Sequence, residues 1–176
     1  MNKNHMLLLL VLVASDVAYP HAAPLQMPTH EMTVPNFDDE GPACVFKVPS
    51  DSSHCTAKAC LLAPPAKSTL ESLEVDFSCI PKSAPTGFEN PPSYIKVQYL
   101  VTKNARGHLS VADDMHISPP ERYRHLSFCL YGKFNNVCGY AKVMRLGDRS
   151  KGDGTRTVKA FIEGIELREP WANDRR

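Results

Sequence analysis

Six cysteines, Cys44, Cys55, Cys60, Cys79, Cys129 and Cys138, are the most chemically versatile residues of this chain. A cysteine sulfur can hold a metal, exchange electrons, attack a carbonyl or cross-link, and spacing separates these uses. Zinc sites draw on close pairs such as Cys-x2-Cys, whereas the gaps here are ten, four, eighteen, forty-nine and eight residues. The same gaps leave no Cys-x2-Cys redox motif. An even count without such pairs reads as three structural disulfides, formed in an oxidising compartment.

A second group with chemical potential is "VADDMH", which brings together Asp113, Asp114 and His116. Two carboxylates and an imidazole can hold a divalent cation or move protons. The plainer reading is a turn before Pro119-Pro120, in which an aspartate hydrogen-bonds its own backbone. His54 beside Cys55 reads as a surface histidine, and His125 as part of a polar strand face. No Gly-x-Ser-x-Gly elbow occurs, and "GDRSKGDG" lacks the Gly-Lys-Ser/Thr ending of a phosphate loop. Nothing in the chain implies haem, flavin, nucleotide or metal, so no cofactor is expected.

The elements that position these groups start with "HLSFCLYGKFNNVCGYAKV", residues 125–143. If Cys129 faces Cys138 across an antiparallel pair, Leu130 faces Val137, Phe128 faces Gly139 and Leu126 faces Ala141. Side chains alternate along a strand, so Leu126, Phe128, Leu130, Val137, Ala141 and Val143 then share one apolar face. Ser127 opposite Tyr140 and His125 opposite Lys142 fall on the other. A slip of one residue scatters the pattern. Gly132, Asn135 and Asn136 suit the turn. Cys129–Cys138 is therefore expected as a cross-strand staple. "CVFKV" and "LEVDFSC" also alternate and turn Cys44 and Cys79 to their apolar sides. Cys44–Cys79 with Cys55–Cys60 is the favoured map, and the two crossed alternatives stay open.

Along the chain, residues 1–22 have the positive start, apolar run and small residues of a secretory signal, too short to span a bilayer. Residues 23–42 are proline-rich and acidic and read as an extended arm; 43–169 form a single globular domain; 170–176 are a polar tail. "TAKACLLA" reads as a short helix stopped by Pro64-Pro65, and Ser68 to Glu71 as a capping box. "SYIKVQYLVT" and "GHLSVA" read as paired strands. Val158, Phe161, Ile162 and Ile165 keep helical spacing, with Thr155 or Thr157 as the cap, Gly164 at the end and "IEL" returning as a strand. The expected fold is α+β: a mostly antiparallel sheet of five or six short strands, covered by a C-terminal helix and stapled by disulfides. An all-β sandwich is the alternative.

The formal net charge of +1, with no basic stripe, disfavours nucleic acid as a partner. Tyr131, Tyr140 and Tyr94 fall opposite the inferred core, and Phe134 lies at the hairpin tip. Aromatics on a stapled hairpin make interface anchors. Phe134, Tyr131, Lys133, Tyr140, Asp113 and Asp114 are the contact candidates. The chain is expected to be an exported, periplasmic or secreted, non-enzymatic binding protein that inhibits or neutralises a protein partner, such as a periplasmic immunity protein against a bacterial toxin. The alternatives are a small secreted hydrolase using His116 with Asp113 or Asp114, and a small-ligand or cell-wall-binding module.

Overall fold

Period-2 alternation of apolar and polar side chains sets nearly every element of the domain. In the computed structural model, which describes residues 29–37, 41–50, 53–68, 70–92, 95–116, 118, 121–148 and 152–169, ten strands and one α-helix follow in order. They are β1 (Thr29–Val34), β2 (Cys44–Pro49), β3 (Ser53–Cys55), β4 (Ala59–Leu62), β5 (Leu73–Pro81), β6 (Lys96–Val101), β7 (Arg106–Asp113), β8 (Tyr123–Tyr131), β9 (Asn135–Arg145), α1 (Thr155–Glu163) and β10 (Glu166–Leu167). The signal at 1–22, the tail at 170–176 and Tyr94 lie outside the described residues.

The strands form two antiparallel sheets. One has three strands in the order β1-β2-β10; the other has seven, β3-β4-β5-β9-β8-β7-β6. Alternation in β5 buries Leu73, Val75, Phe77 and Cys79 and exposes the residues between them. In β8 and β9, Leu126, Phe128, Leu130, Val137, Ala141 and Val143 are buried on the same side of the large sheet. The small sheet covers this side through Met32, Val34, Phe46 and Val48, and α1 through Val158, Phe161 and Ile162. Phe77 lies at the centre: its ring centroid is 5.0 Å from Phe46, 5.9 Å from Phe128 and 6.4 Å from Phe161. Gly139 faces both Phe77 and Phe128 across its two pairings. A Cβ at Gly139 would lie 2.5 Å from the Phe128 ring, so the missing side chain makes room for that aromatic stack.

Several expectations are corrected. The described residues hold ten strands in two sheets, not five or six. The helix is not the whole cover, because the small sheet shares that task. Residues 29–34, expected within an extended arm, are β1, paired with β2 from Thr29↔Pro49 to Val34↔Cys44. Burial of Met32 and Val34 supplies the driving force, which outweighs the flanking prolines. "TAKACLLA" is not a helix but the turn and second strand of the β3–β4 hairpin, with Cys55 opposite Cys60. Its alternation (Cys60 and Leu62 buried, Leu61 exposed) governs over the helix propensity of alanine and leucine. The N-cap of α1 is Gly154 and not a threonine, and no side chain caps it; one residue earlier, Asp153 Oδ1 accepts from the Thr155 backbone N–H at 2.9 Å. Gly164 closes the helix, its N–H donating to Ala160 and Phe161 carbonyls.

Disulfides join Cys44 to Cys79, Cys55 to Cys60 and Cys129 to Cys138. The first ties the small sheet to the large one, and the other two staple hairpins within the large sheet. Three bridges in one domain fit folding in an oxidising, extracellular or periplasmic environment. Among the described residues no helix is long and apolar enough to cross a membrane.

Candidate functional site

Covering one side of the large sheet leaves its other side open, as one-sided antiparallel sheets do. Alternation delivers a defined set of residues to that open face. Across the central strands Tyr99 faces His108, His108 faces Cys129 and Cys129 faces Cys138. One row away, Ser110 faces Ser127 and Ser127 faces Tyr140. Cys129 and Cys138 are buried yet lie on this face, outside the main core. The staple therefore forms the floor of the site.

Two histidine–tyrosine pairs flank the staple. His108 Nδ1 is hydrogen-bonded to the Tyr131 hydroxyl, and His125 Nδ1 to the Tyr140 hydroxyl. In each pair the tyrosine is two residues beyond the histidine's cross-strand neighbour, a diagonal that long side chains bridge. The His108 ring is enclosed by three aromatics, with centroids at 5.1 Å for Tyr99, 5.5 Å for Tyr131 and 6.0 Å for Phe88. Phe88 comes from the proline-rich loop that follows β5, so this loop closes over one end of the open face. Thr86 and Glu89 stiffen the loop: the Glu89 carboxylate accepts from the Thr86 N–H at 2.9 Å and its hydroxyl at 2.8 Å. Those bonds lower the Glu89 carboxyl to about 2.

In the second pair the histidine also meets a carboxylate. His125 Nε2 is 3.8 Å from Asp114 Oδ2, within ion-pair reach but too long for a direct hydrogen bond. Burial pushes the imidazole below its ordinary value; Asp114 opposes this and Lys142 adds to it. Burial likewise raises both tyrosine hydroxyls, which keeps Tyr131 and Tyr140 protonated at neutral pH. A protonated Tyr140 donates to Nδ1 of a neutral His125, which leaves the Nε2 proton turned toward Asp114. The arrangement orders side chains on a rigid surface.

Asp113 and Asp114 make their hydrogen bonds with different partners. Neighbours in extended chain point to opposite faces. Asp113 turns to Arg124, which reaches its two oxygens at 2.7 and 3.1 Å and contacts Asp153 at 2.8 Å. The hydrogen bonds that Arg124 donates to Asp113 raise its guanidinium further above its ordinary value. Burial alone would raise Asp153, but bonds from Thr155 and Arg124 outweigh it and hold that carboxyl low. Asp114 Oδ1 accepts from the His116 backbone N–H at 3.0 Å, the plain turn geometry, while His116 is exposed. Among the described residues no three His, Cys, Asp or Glu side chains are grouped to hold a metal ion.

Lys133 and Phe134 form the tip of the β8–β9 hairpin. Phe134 is 51% exposed, and the Lys133 ammonium lies over its ring at 4.9 Å. The tip is held from both sides. Lys133 N–H donates to Glu169 O at 3.0 Å, and Lys82 N–H donates to Phe134 O at 3.2 Å. Beside it lies a cleft of about 380 Å³, bordered by Phe134, Asn135, Pro42, Val45, Leu167 and Arg168. The neighbouring β6–β7 turn is fastened to the same segment, with Asn104 bonding the Leu167 backbone in both directions at 2.7 and 3.0 Å.

Of the six contact candidates, the structure thus gathers Tyr131 and Tyr140 on the open face and Lys133 and Phe134 at one end. It parts Asp113 from Asp114. Reading the sequence missed His108, Tyr99, Phe88 and the bonded role of His125. The drawn hairpin held the signal for one of these, since His125 opposite Lys142 is diagonal to Tyr140. No family model, curated protein or solved structure matches the chain.

Proposed function

We propose that this chain is an exported, non-enzymatic binding protein that inhibits or neutralises a protein partner, in the manner of a periplasmic immunity protein against a bacterial toxin. The observation that carries this reading is the hairpin tip. Phe134 and Lys133 form the exposed tip of a disulfide-stapled hairpin, and both are fixed by backbone bonds to separate segments. An anchor ordered before binding loses little conformational entropy when it docks, which is what a tight inhibitor needs. An aromatic ring with a stacked cation suits a partly apolar, acid-lined cleft on an enzyme. Tyr131 and Tyr140 extend the contact surface along the open face, with hydroxyls already oriented by the histidines. The inhibitory act is steric: the tip fills the partner's cleft and excludes its substrate.

The test is capture from the source organism's secreted and periplasmic fractions with the purified oxidised chain. The expected result is a stoichiometric protein whose catalytic activity falls when the chain is added. Phe134→Ala should weaken that complex by about 10- to 100-fold while leaving the melting temperature unchanged. A captured protein that binds Phe134→Ala equally well, or whose activity is unaffected, would overturn the reading.

A further inference from the structure

We infer that β6 is a self-pairing edge through which two copies of this chain join their seven-stranded sheets into one. This goes beyond the proposed binding role and does not rest on it. Among the described residues β6 is hydrogen-bonded on one side alone, to β7. The register fixes which of its backbone groups face outward. Thr102 N–H donates to Ala105 O at 2.9 Å across the turn, so the hydrogen-bonded pairs of this ladder are Leu100 with Gly107 and Gln98 with Leu109. The N–H and C=O groups of Val97, Tyr99 and Val101 therefore point away from β7, toward the free edge.

The side chains of those same three residues lie on the open face. Tyr99 is 86% exposed and Val101 63%. Exposed apolar residues on an unpaired edge are what soluble proteins ordinarily avoid. The lysines that commonly guard such edges flank the segment, at Lys96 and Lys103, and leave its middle clear. Lys103 is moreover ion-paired with Glu166 at 2.6 Å.

A second copy fits this edge about a two-fold axis through Tyr99. The three outward backbone positions are symmetric about Tyr99, so Tyr99 pairs with Tyr99 of the second copy, and Val97 pairs with its Val101. Both are hydrogen-bonded pairs, and every outward N–H and C=O meets a partner. On the open face the pairing lines up valine against valine and tyrosine against tyrosine, favourable cross-strand combinations. On the other face Gln98 meets Leu100. Lys96 meets Thr102, so no like charges oppose one another. The segment is thus complementary to itself in backbone parity, side-chain type and charge, as an isologous interface requires.

The experiment uses the oxidised chain in sedimentation equilibrium. The expected result is a reversible monomer–dimer equilibrium. Tyr99→Pro removes one outward N–H without touching a bond to β7, so it should weaken the dimer at least about tenfold with an unchanged circular dichroism spectrum. The register is read separately with single cysteines and a short thiol-reactive cross-linker. Tyr99→Cys should link to itself. Val97→Cys should not link to itself, but should link to Val101→Cys in an equal mixture. A chain that stays monomeric up to about 100 µM overturns the inference. So does a dimer that tolerates Tyr99→Pro, or one that cross-links in another register. Should the proline variant fail to fold, the cysteine pattern alone decides.

Discussion

In β8 the apolar residues Leu126, Phe128 and Leu130 turn inward and are at most 1% exposed; in β6 Val97, Tyr99 and Val101 turn outward, and Tyr99 is 86% exposed. Both strands alternate with the same period, and both are paired to β7. They differ in what surrounds them. Strand β8 has β7 and β9 on its flanks and lies in the seven-stranded sheet's interior. Strand β6 ends the sheet, and only Leu100 of its inward residues is buried. The two rows also lie on opposite faces of the sheet: that of β8 is under the small sheet and α1 and becomes core, while that of β6 is on the open face at an edge and becomes a surface that other molecules can use.

This contrast can be broken most severely at Phe128. Phe128→Ala removes the ring that fits over Gly139 and meets Phe77 edge-on, and should cost about 3–5 kcal/mol in urea unfolding. Tyr99→Ala, with its ring in solvent, should stay within about 0.5 kcal/mol at concentrations where the chain is monomeric. Comparable losses at the two sites would mean that β6 is packed against something in solution.

A smaller effect sharpens what makes the central hairpin rigid. Replacing Cys129 and Cys138 together by alanine opens a short loop of sequence separation 9 and should cost about 2–3 kcal/mol in the chain-entropy model. Binding through the tip should weaken as well, because the anchor loses its preorganisation. A double variant that loses stability but keeps full affinity would assign the tip's order to Glu169 and Lys82 instead of the staple.

The smallest effect concerns pH. His125 has its folded value lowered mainly by burial, so the unfolded chain binds a proton more readily. The sign follows. At neutral pH both states are unprotonated, and stability declines as pH falls below the ordinary histidine value of 6.5. His125→Gln should flatten that part of the profile in a pH series of thermal melts. No such change is expected of Tyr99→Ala, which lies at the other end of the open face.

Much of the central hairpin was legible because its information is local. Cys129 and Cys138, with apolar residues at even positions in one strand and odd in the other, admit one register that keeps a single apolar face, and the structure pairs Leu126 with Ala141 and Leu130 with Val137. Helix α1 was equally legible, since Val158, Phe161 and Ile162 repeat along one helical stripe and are buried. "TAKACLLA" was not, because alanine and leucine favour a helix in isolation and only pairing with β5 makes the segment a strand. The candidate site was legible in part. Tyr131, Tyr140, Phe134 and Lys133 follow from the hairpin alone, whereas the aromatic enclosure of His108 needs β6, β8 and a loop residue brought together.

By itself the sequence determined which side chains share a strand face, where the helix runs and that its sulfurs can bridge, because spacing along the chain carries all of that. The tertiary structure alone decided which face is inside. That choice belongs to the covering layer: the small sheet and α1 lie over one side of the large sheet, so Phe128 is core, Tyr99 is surface, and Asp113 and Asp114 part company. Alternation is symmetric between two faces, and only long-range packing breaks the symmetry.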